Sequence, residues 1–183
     1  GLALHYGAVA EAVHKPIVLY NVPGRTGCDL QPETVRELGD RDTHVVAVKA
    51  APPSIERVKR LVNETPCAVL CGEDAMIADF MGLGAVGVIG VVGNLVAAKV
   101  SEFVRAALPE GNHVRAARLV EELAPLVKDL FIETNPVPVK AALAMMRKCC
   151  EDVRAPLAPL EEAHRKKLEA TLERIAEELG GQV

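Results

Sequence analysis

The chain has 183 residues and a formal net charge of −4, with half its residues hydrophobic, a quarter charged and 3% aromatic. That composition supplies enough apolar surface for a core, while the scarcity of aromatics and of long Lys/Arg blocks argues against nucleic acid as a partner. The longest mainly apolar stretch, Gly82 to Ala98, contains glycines and an asparagine and falls short of the ~20 residues a membrane span needs, so no membrane partner is expected.

Leu2 to Val13 has apolar residues at helical spacing, and His14-Lys15-Pro16 ends the helix because proline cannot continue it. The run Gly1-Leu2-Ala3-Leu4 enters this helix without an initiator methionine or a capping residue, as in a chain entered partway. Ile17-Val18-Leu19-Tyr20 reads as a strand, Asn21 to Gly27 as a turn-forming loop, and Gln31 to Leu38 as a helix with Pro32 in its first turn. The same order recurs three times. Val45 to Lys49 is a strand, Ala50 to Pro53 breaks it, and Ser54 caps a helix to Asn63; Cys67 to Cys71 is followed by Gly72-Glu73-Asp74 and a helix over Ala75 to Leu83. Val86 to Val92 precedes a helix from about Leu95 to Leu108.

Uniformly apolar strands, each followed by an amphipathic helix, predict parallel strands covered on both faces and an α/β fold. Beyond Pro109 the pattern becomes all helical, over His113 to Leu130, Val137 to Cys150 and Leu160 to Leu179. The expected organisation is a β/α part over residues 1–109 and a helical subdomain over 110–183. The five cysteines form no CxxC or Cys/His array and read as reduced thiols, which predicts a cytoplasmic setting.

In repeated β/α folds the functional side chains gather at the carboxyl ends of the strands. Those positions hold Tyr20 and Arg25, then Lys49, then Gly72-Glu73-Asp74, then Gly90 to Asn94. Lys49 ends an otherwise apolar strand, where burial would disfavour its charged form and leave a free amine able to attack carbonyls and form an imine. The alternative is a lysine whose ammonium reaches water from the strand end. Tyr20 could relay a proton or simply pack its ring; Arg25 could fork onto a substrate carboxylate or lie idle in solvent. Gly72 and the Gly87-Val88-Ile89-Gly90 segment permit close approach of a small acid, or serve packing alone. Asp74 is expected to cap the helix beginning at Ala75. The five histidines have no metal-ligand spacing, and no metal is expected.

Taken in order, Tyr20-Asn21-Val22-Pro23-Gly24-Arg25-Thr26-Gly27, Val46-Ala47-Val48-Lys49-Ala50-Ala51, Cys71-Gly72-Glu73-Asp74, Gly87-Val88-Ile89-Gly90-Val91 and Asn135-Pro136-Val137-Pro138-Val139-Lys140 closely resemble the dihydrodipicolinate synthases, from Gly1 to at least Pro159. The resemblance implies a pyruvate-dependent lyase of lysine biosynthesis acting on aspartate semialdehyde, with no cofactor beyond the covalent lysine imine. It assigns the imine to Lys49, proton relay to Tyr20, the semialdehyde carboxylate to Arg25, and the pyruvate pocket to Ile89 and Gly72. It also implies a (β/α)₈ barrel followed by three helices, in a homodimer or homotetramer.

Two departures qualify the resemblance. The family's Lys-Glu-Ala and Thr/Ser-Gly become Lys49-Ala50-Ala51-Pro52-Pro53, removing a carboxylate after the lysine. A barrel of this type needs about 250 residues, and the resemblance places the four strands as the last four of eight, so the expected partner is a missing N-terminal half-barrel. A related 2-keto-acid aldolase or dehydratase, and a non-catalytic half-barrel serving as an assembly or binding module, stand as alternatives.

Overall fold

Four short runs rich in Val, Ile, Leu and Ala pair in parallel because each is followed by helical chain that carries the backbone back to the starting end of the sheet. In the computed structural model, which describes residues 1–42, 44–51 and 54–178, these are β1 (Ile17–Asn21), β2 (Val45–Ala50), β3 (Ala68–Cys71) and β4 (Gly87–Val88), in the order β1-β2-β3-β4. The helix α1 (Leu2–Val13) precedes them and stops at His14, whose left-handed backbone donates its N–H to Ala10 O at 3.1 Å. Between the strands lie α2 (Pro23–Thr26), α3 (Pro32–Arg41), α4 (Ile55–Glu64) and α5 (Ile77–Gly82). The chain divides into two compact units, residues 1–89 with 107–110, and residues 90–106 with 111–183.

In the first unit, Leu19, Val48, Ala50, Val69 and Cys71 are buried, together with Val35 and Leu38 of α3, Val58 and Leu61 of α4 and Phe80 of α5. The opposite face does not match the expectation of strands covered on both sides. Val18 and Ile89 are each 45% exposed and Tyr20 is 43% exposed, because the helical cover of this unit lies on the Leu19 and Val48 side. Sequence alone could not distinguish the faces, since apolar residues occupy both.

Several boundaries shift for identifiable reasons. The ladder of β4 is confined to Gly87–Val88, although Val86 N and Ile89 N bond Val69 O and Cys71 O at 2.9 Å on either side. Residues 92–94 already turn in a 3-10 helix, so the apolar run to Val92 is not one strand. Ser54 does cap α4, its hydroxyl accepting the Arg57 amide at 3.4 Å. Asp74 does not occupy the expected cap position. It opens a 3-10 turn over Asp74–Met76, closed by Met76 N to Glu73 O at 2.9 Å, and α5 starts only at Ile77. Pro52 and Pro53, expected to break the strand after Lys49, and Leu179, expected to end the last helix, lie outside the described residues.

The second unit contains most of α6 (Ala97–Ala107), with α7 (His113–Leu130), α8 (Val137–Met145) and α9 (Glu162–Glu178). Leu119, Leu126, Leu130 and Leu168 are fully buried in it. Arg115 bridges Glu102 at 2.6 Å and Glu122 at 2.7 Å, and Lys99 meets Glu122 at 2.7 Å, tying α6 to α7. Glu133 accepts from Glu161 N at 3.0 Å and pairs with His164 Nδ1 at 2.7 Å; these bonds hold its carboxyl below the usual range and secure the start of α9. Buried Asp129 accepts the Thr171 hydroxyl at 2.7 Å and meets Lys167 Nζ at 2.9 Å. No helix among the described residues is long and apolar enough to cross a membrane.

The helix expected to run to Cys150 ends at Met145. Arg147 has φ 58°, its N–H bonds Ala144 O at 2.9 Å, and Lys148 N bonds Leu143 O at 2.8 Å, the paired closure of a Schellman motif. Glycine usually announces this ending, and an arginine gives no such signal. Replacing Arg147 with Gly should relieve the left-handed strain and stabilise the fold by about 1 kcal/mol, read as a higher Tm; an unchanged or lower Tm contradicts it.

Candidate active site

The register of β1 on β2 pairs Tyr20 with Lys49, and that of β2 on β3 pairs Lys49 with Leu70. Parallel partners point to the same face, so Tyr20 and Lys49 emerge side by side on the exposed face at the carboxyl ends of their strands. The Lys49 ammonium lies over the Tyr20 ring, 4.1 Å from its centroid, where the negative face of the π system attracts a cation. Lys49 is half-buried rather than enclosed.

Gly72, immediately after β3, forms the other wall. A Cβ there would lie 3.0 Å from Lys49 Cε, 3.1 Å from its Cγ and 3.0 Å from Ala50 O. The glycine therefore leaves the track along which the lysine stem runs, and its own N–H bonds Ala50 O at 2.8 Å. Ile89 joins the same ladder through Cys71 O. Cys71 is buried behind the site, its Sγ 3.1 Å from Glu73 O, and burial pushes its thiol up to about 12. It is protonated at neutral pH and is no nucleophile.

Arg25 sits on α2, exposed, in a loop turned by Gly27 at φ 64°. Across from β3, Glu73 feels its charge: burial first, then the neighbouring Asp74, raise the Glu73 carboxyl above its ordinary value, while the Ala75 backbone and Arg25 oppose the rise. The structure thus gathers Lys49, Tyr20, Gly72 and Ile89 at one end of the sheet, with Arg25 electrostatically coupled to Glu73 beside Gly72.

Sequence reading missed a polar cluster under this loop. Asn21, 2% exposed, donates from Nδ2 to Asp29 Oδ1 at 2.9 Å and accepts Leu30 N on Oδ1 at 2.9 Å. Asp29 Oδ2 takes Arg57 Nη2 at 2.7 Å and Gln31 Nε2 at 2.9 Å. Burial alone would raise the Asp29 carboxyl, but the bond from Asn21, the Arg57 charge and the bond from Gln31 together hold it below its ordinary value. Partners eight and twenty-eight residues apart follow no helix or strand period, so only an asparagine at a strand end offered a hint.

Two outcomes follow from this geometry. Gly72→Ala should displace the lysine stem and slow reductive labelling of Lys49 by a small carbonyl reagent by about 10-fold, with loss of roughly 1–3 kcal/mol of stability; undiminished labelling contradicts the close packing. Because the folded Asp29 carboxyl is depressed, its contribution to stability is present above the unfolded value and is lost as pH falls through the folded one. The NMR shift of the Leu30 amide should therefore hold through the ordinary aspartate range near ~3.9 and move only below it; movement at or above that value contradicts the clamp.

Comparison with known proteins identifies the family. The model of the dihydrodipicolinate synthetase family matches residues 1–175. The chain is 44% identical over 172 residues to 4-hydroxy-tetrahydrodipicolinate synthase of Methanocaldococcus jannaschii, covering 94% of this chain and 59% of that protein. It is 45% identical over 174 residues to the Thermomicrobium roseum protein of the same name, covering 94% of this chain and 57% of the relative. The solved 4-hydroxy-tetrahydrodipicolinate synthase of Methylacidiphilum fumariolicum superposes with a TM-score of 0.93 at 42% identity, over 100% of this chain and 61% of that one. The chain therefore spans about three fifths of the length of the relatives it matches. With the family match running almost from end to end through the strands that carry Tyr20, Lys49, Gly72 and Ile89, the chain belongs to the dihydrodipicolinate synthetase family.

Proposed function

We propose that this chain carries the imine-forming part of a lyase that condenses pyruvate with L-aspartate semialdehyde, giving 4-hydroxy-tetrahydrodipicolinate for lysine biosynthesis. The observation that carries the reading is Lys49 Nζ 4.1 Å from the Tyr20 ring centroid at the carboxyl ends of neighbouring strands, with Gly72 packed along the lysine stem.

In this mechanism the unprotonated Lys49 amine adds to C2 of pyruvate. The carbinolamine then loses water to an imine, and the Tyr20 hydroxyl moves the protons that these steps require. The imine nitrogen draws electrons from C3, which loses a proton and attacks the aldehyde carbon of the acceptor, whose oxygen takes up a proton as the 4-hydroxyl; the acceptor's own amine then adds to C2, expels the Lys49 amine and closes the ring. The amine needs no external cofactor for this chemistry. Gly72 and the Ile89 backbone border the space beside Lys49, and Arg25 offers the acceptor carboxylate two parallel N–H donors.

The exposed inner residues Val18, Tyr20 and Ile89 and the free edges of β1 and β4 support a further reading, that the four strands are half of an eight-stranded barrel completed by an N-terminal half. In that reading residues 1–109 are barrel and 110–183 the helical extension, the assembled protein is a cytoplasmic homodimer or homotetramer, and pyruvate and aspartate semialdehyde are its substrates. A related 2-keto-acid lyase competes, favoured by Ala50, fully buried and without a carboxylate directly after Lys49.

Borohydride reduction in the presence of pyruvate, on the chain alone and mixed with the N-terminal portion of a relative, tests the proposal. One pyruvate-derived adduct is expected on the Lys49 peptide and none in Lys49→Arg; no adduct in either preparation sinks it. Turnover of aspartate semialdehyde at least ~10-fold better than sugar-derived keto acids separates the two lyase readings.

A further inference from the structure

We propose that Asn21, Asp29 and Arg57 form a positioning relay that fixes the Arg25 loop relative to Lys49, and so governs acceptor binding without touching the acceptor. This rests on the lyase reading above, and extends it to residues that carry none of the chemistry.

The relay begins on the sheet. Asn21 is the residue after Tyr20, and its backbone O accepts the amide of Ala51, two residues beyond Lys49, at 2.9 Å. Its side chain then spans the neck of the loop over residues 22–30. Oδ1 receives Leu30 N and Nδ2 donates to Asp29, so one buried amide joins the two ends of the segment that carries Arg25. The bonds nearer the loop tip are local: Arg25 N to Val22 O at 2.9 Å, Gly27 N to Pro23 O at 3.0 Å, and the Thr26 hydroxyl to Cys28 O at 2.9 Å. They shape the tip but do not attach it to the sheet.

The second attachment comes from α4, the helix that follows the Lys49 strand. Arg57, whose amide is capped by Ser54, reaches Asp29 Oδ2 at 2.7 Å with side chains 15% and 27% exposed respectively. An ion pair of this kind on an open surface would be worth little. Here it is part-buried and continuous with Asn21, so that cutting the Arg57 bond leaves the Asp29 carboxylate held by Asn21 and Gln31 alone and removes the link from α4 to the loop. Both ends of the relay rest on the chain just after Lys49, one at Ala51 and one on α4. The Arg25 loop is thereby referenced to the amine that makes the imine. Misplacement by about 1 Å of a group that orients a substrate can cost about 100-fold in rate, which makes such a reference consequential.

The test uses Asp29→Asn, Arg57→Met and Arg57→Lys, with three readouts: the pyruvate adduct on Lys49, kcat and KM for the aldehyde acceptor in the preparation that turns over, and hydrogen exchange of the Leu30 amide in the chain itself. Asp29→Asn and Arg57→Met should leave adduct formation within about 2-fold of the parent while raising the acceptor KM about 10-fold or more, and Arg57→Lys should recover part of that loss. Leu30 exchange should quicken in the first two variants. Unchanged acceptor KM overturns the relay, as does a KM change matched by an equal loss of adduct formation, since that marks a general structural role. A parent protein that forms no adduct fails the lyase reading instead; Leu30 exchange then decides the relay, and exchange unchanged in Asp29→Asn overturns it.

Discussion

The constraint on which the site depends is the register between β1 and β2. Ile17 pairs with Val45 and Val18 with Ala47, so Val46 is an extra residue on β2, and from there Leu19 meets Val48 and Tyr20 meets Lys49. A slip of one residue would send the lysine to the helix-covered face and place Val48 or Ala50 beside the tyrosine. The bulge therefore aims Lys49, a use of bulges that recurs next to active sites. The cation over the ring adds only about 0.5–1 kcal/mol and cannot set this register by itself. Burial of Leu19, Val48, Ala50 and Val69 on the other face does so, because each large buried aliphatic contributes about 1.5–3 kcal/mol and a slip would expose them together.

From that register the remaining pieces follow in order of distance. Lys49 on β2 requires its neighbour after β3 to yield space, and Gly72 supplies it. Tyr20 at the end of β1 leads directly into Asn21, whose side chain ties down the loop bearing Arg25. The charge balance at the top of the sheet is then local: burial and the neighbouring Asp74 raise the Glu73 carboxyl, the Arg25 charge opposes the rise slightly, and Arg57 is engaged with Asp29. The helical unit is stabilised separately, by its leucine core and by the Arg115, Glu133 and Asp129 contacts, none of which uses a residue of the candidate site.

Much of the fold was legible because the signals were local. Proline stops α1 and starts α3, and Ser54 caps α4. Where the signal was missing the reading overshot: Arg147 adopts the left-handed ending that glycine would have announced, and the apolar run after Gly87 continues into a 3-10 turn that hydrophobicity cannot distinguish from strand. Asp74 shows the converse, a capping residue type displaced from the cap because the chain turns through Glu73 first.

For the site, sequence by itself put Tyr20, Lys49 and Gly72 at successive β-to-α junctions, while Ile89 came from the family resemblance, because the apolar run to Val92 hid the end of the fourth strand. It also placed the chain among the dihydrodipicolinate synthases through motifs that keep their order. Only the tertiary structure decided that Tyr20 and Lys49 share a face, that this face is the uncovered one, and that Asn21, Asp29 and Arg57 meet beneath the Arg25 loop. The reason is physical. Local order follows from backbone sterics and capping within a few residues, whereas register and long-range hydrogen bonds are settled by burying one whole face of the sheet, a quantity that no single stretch of sequence contains.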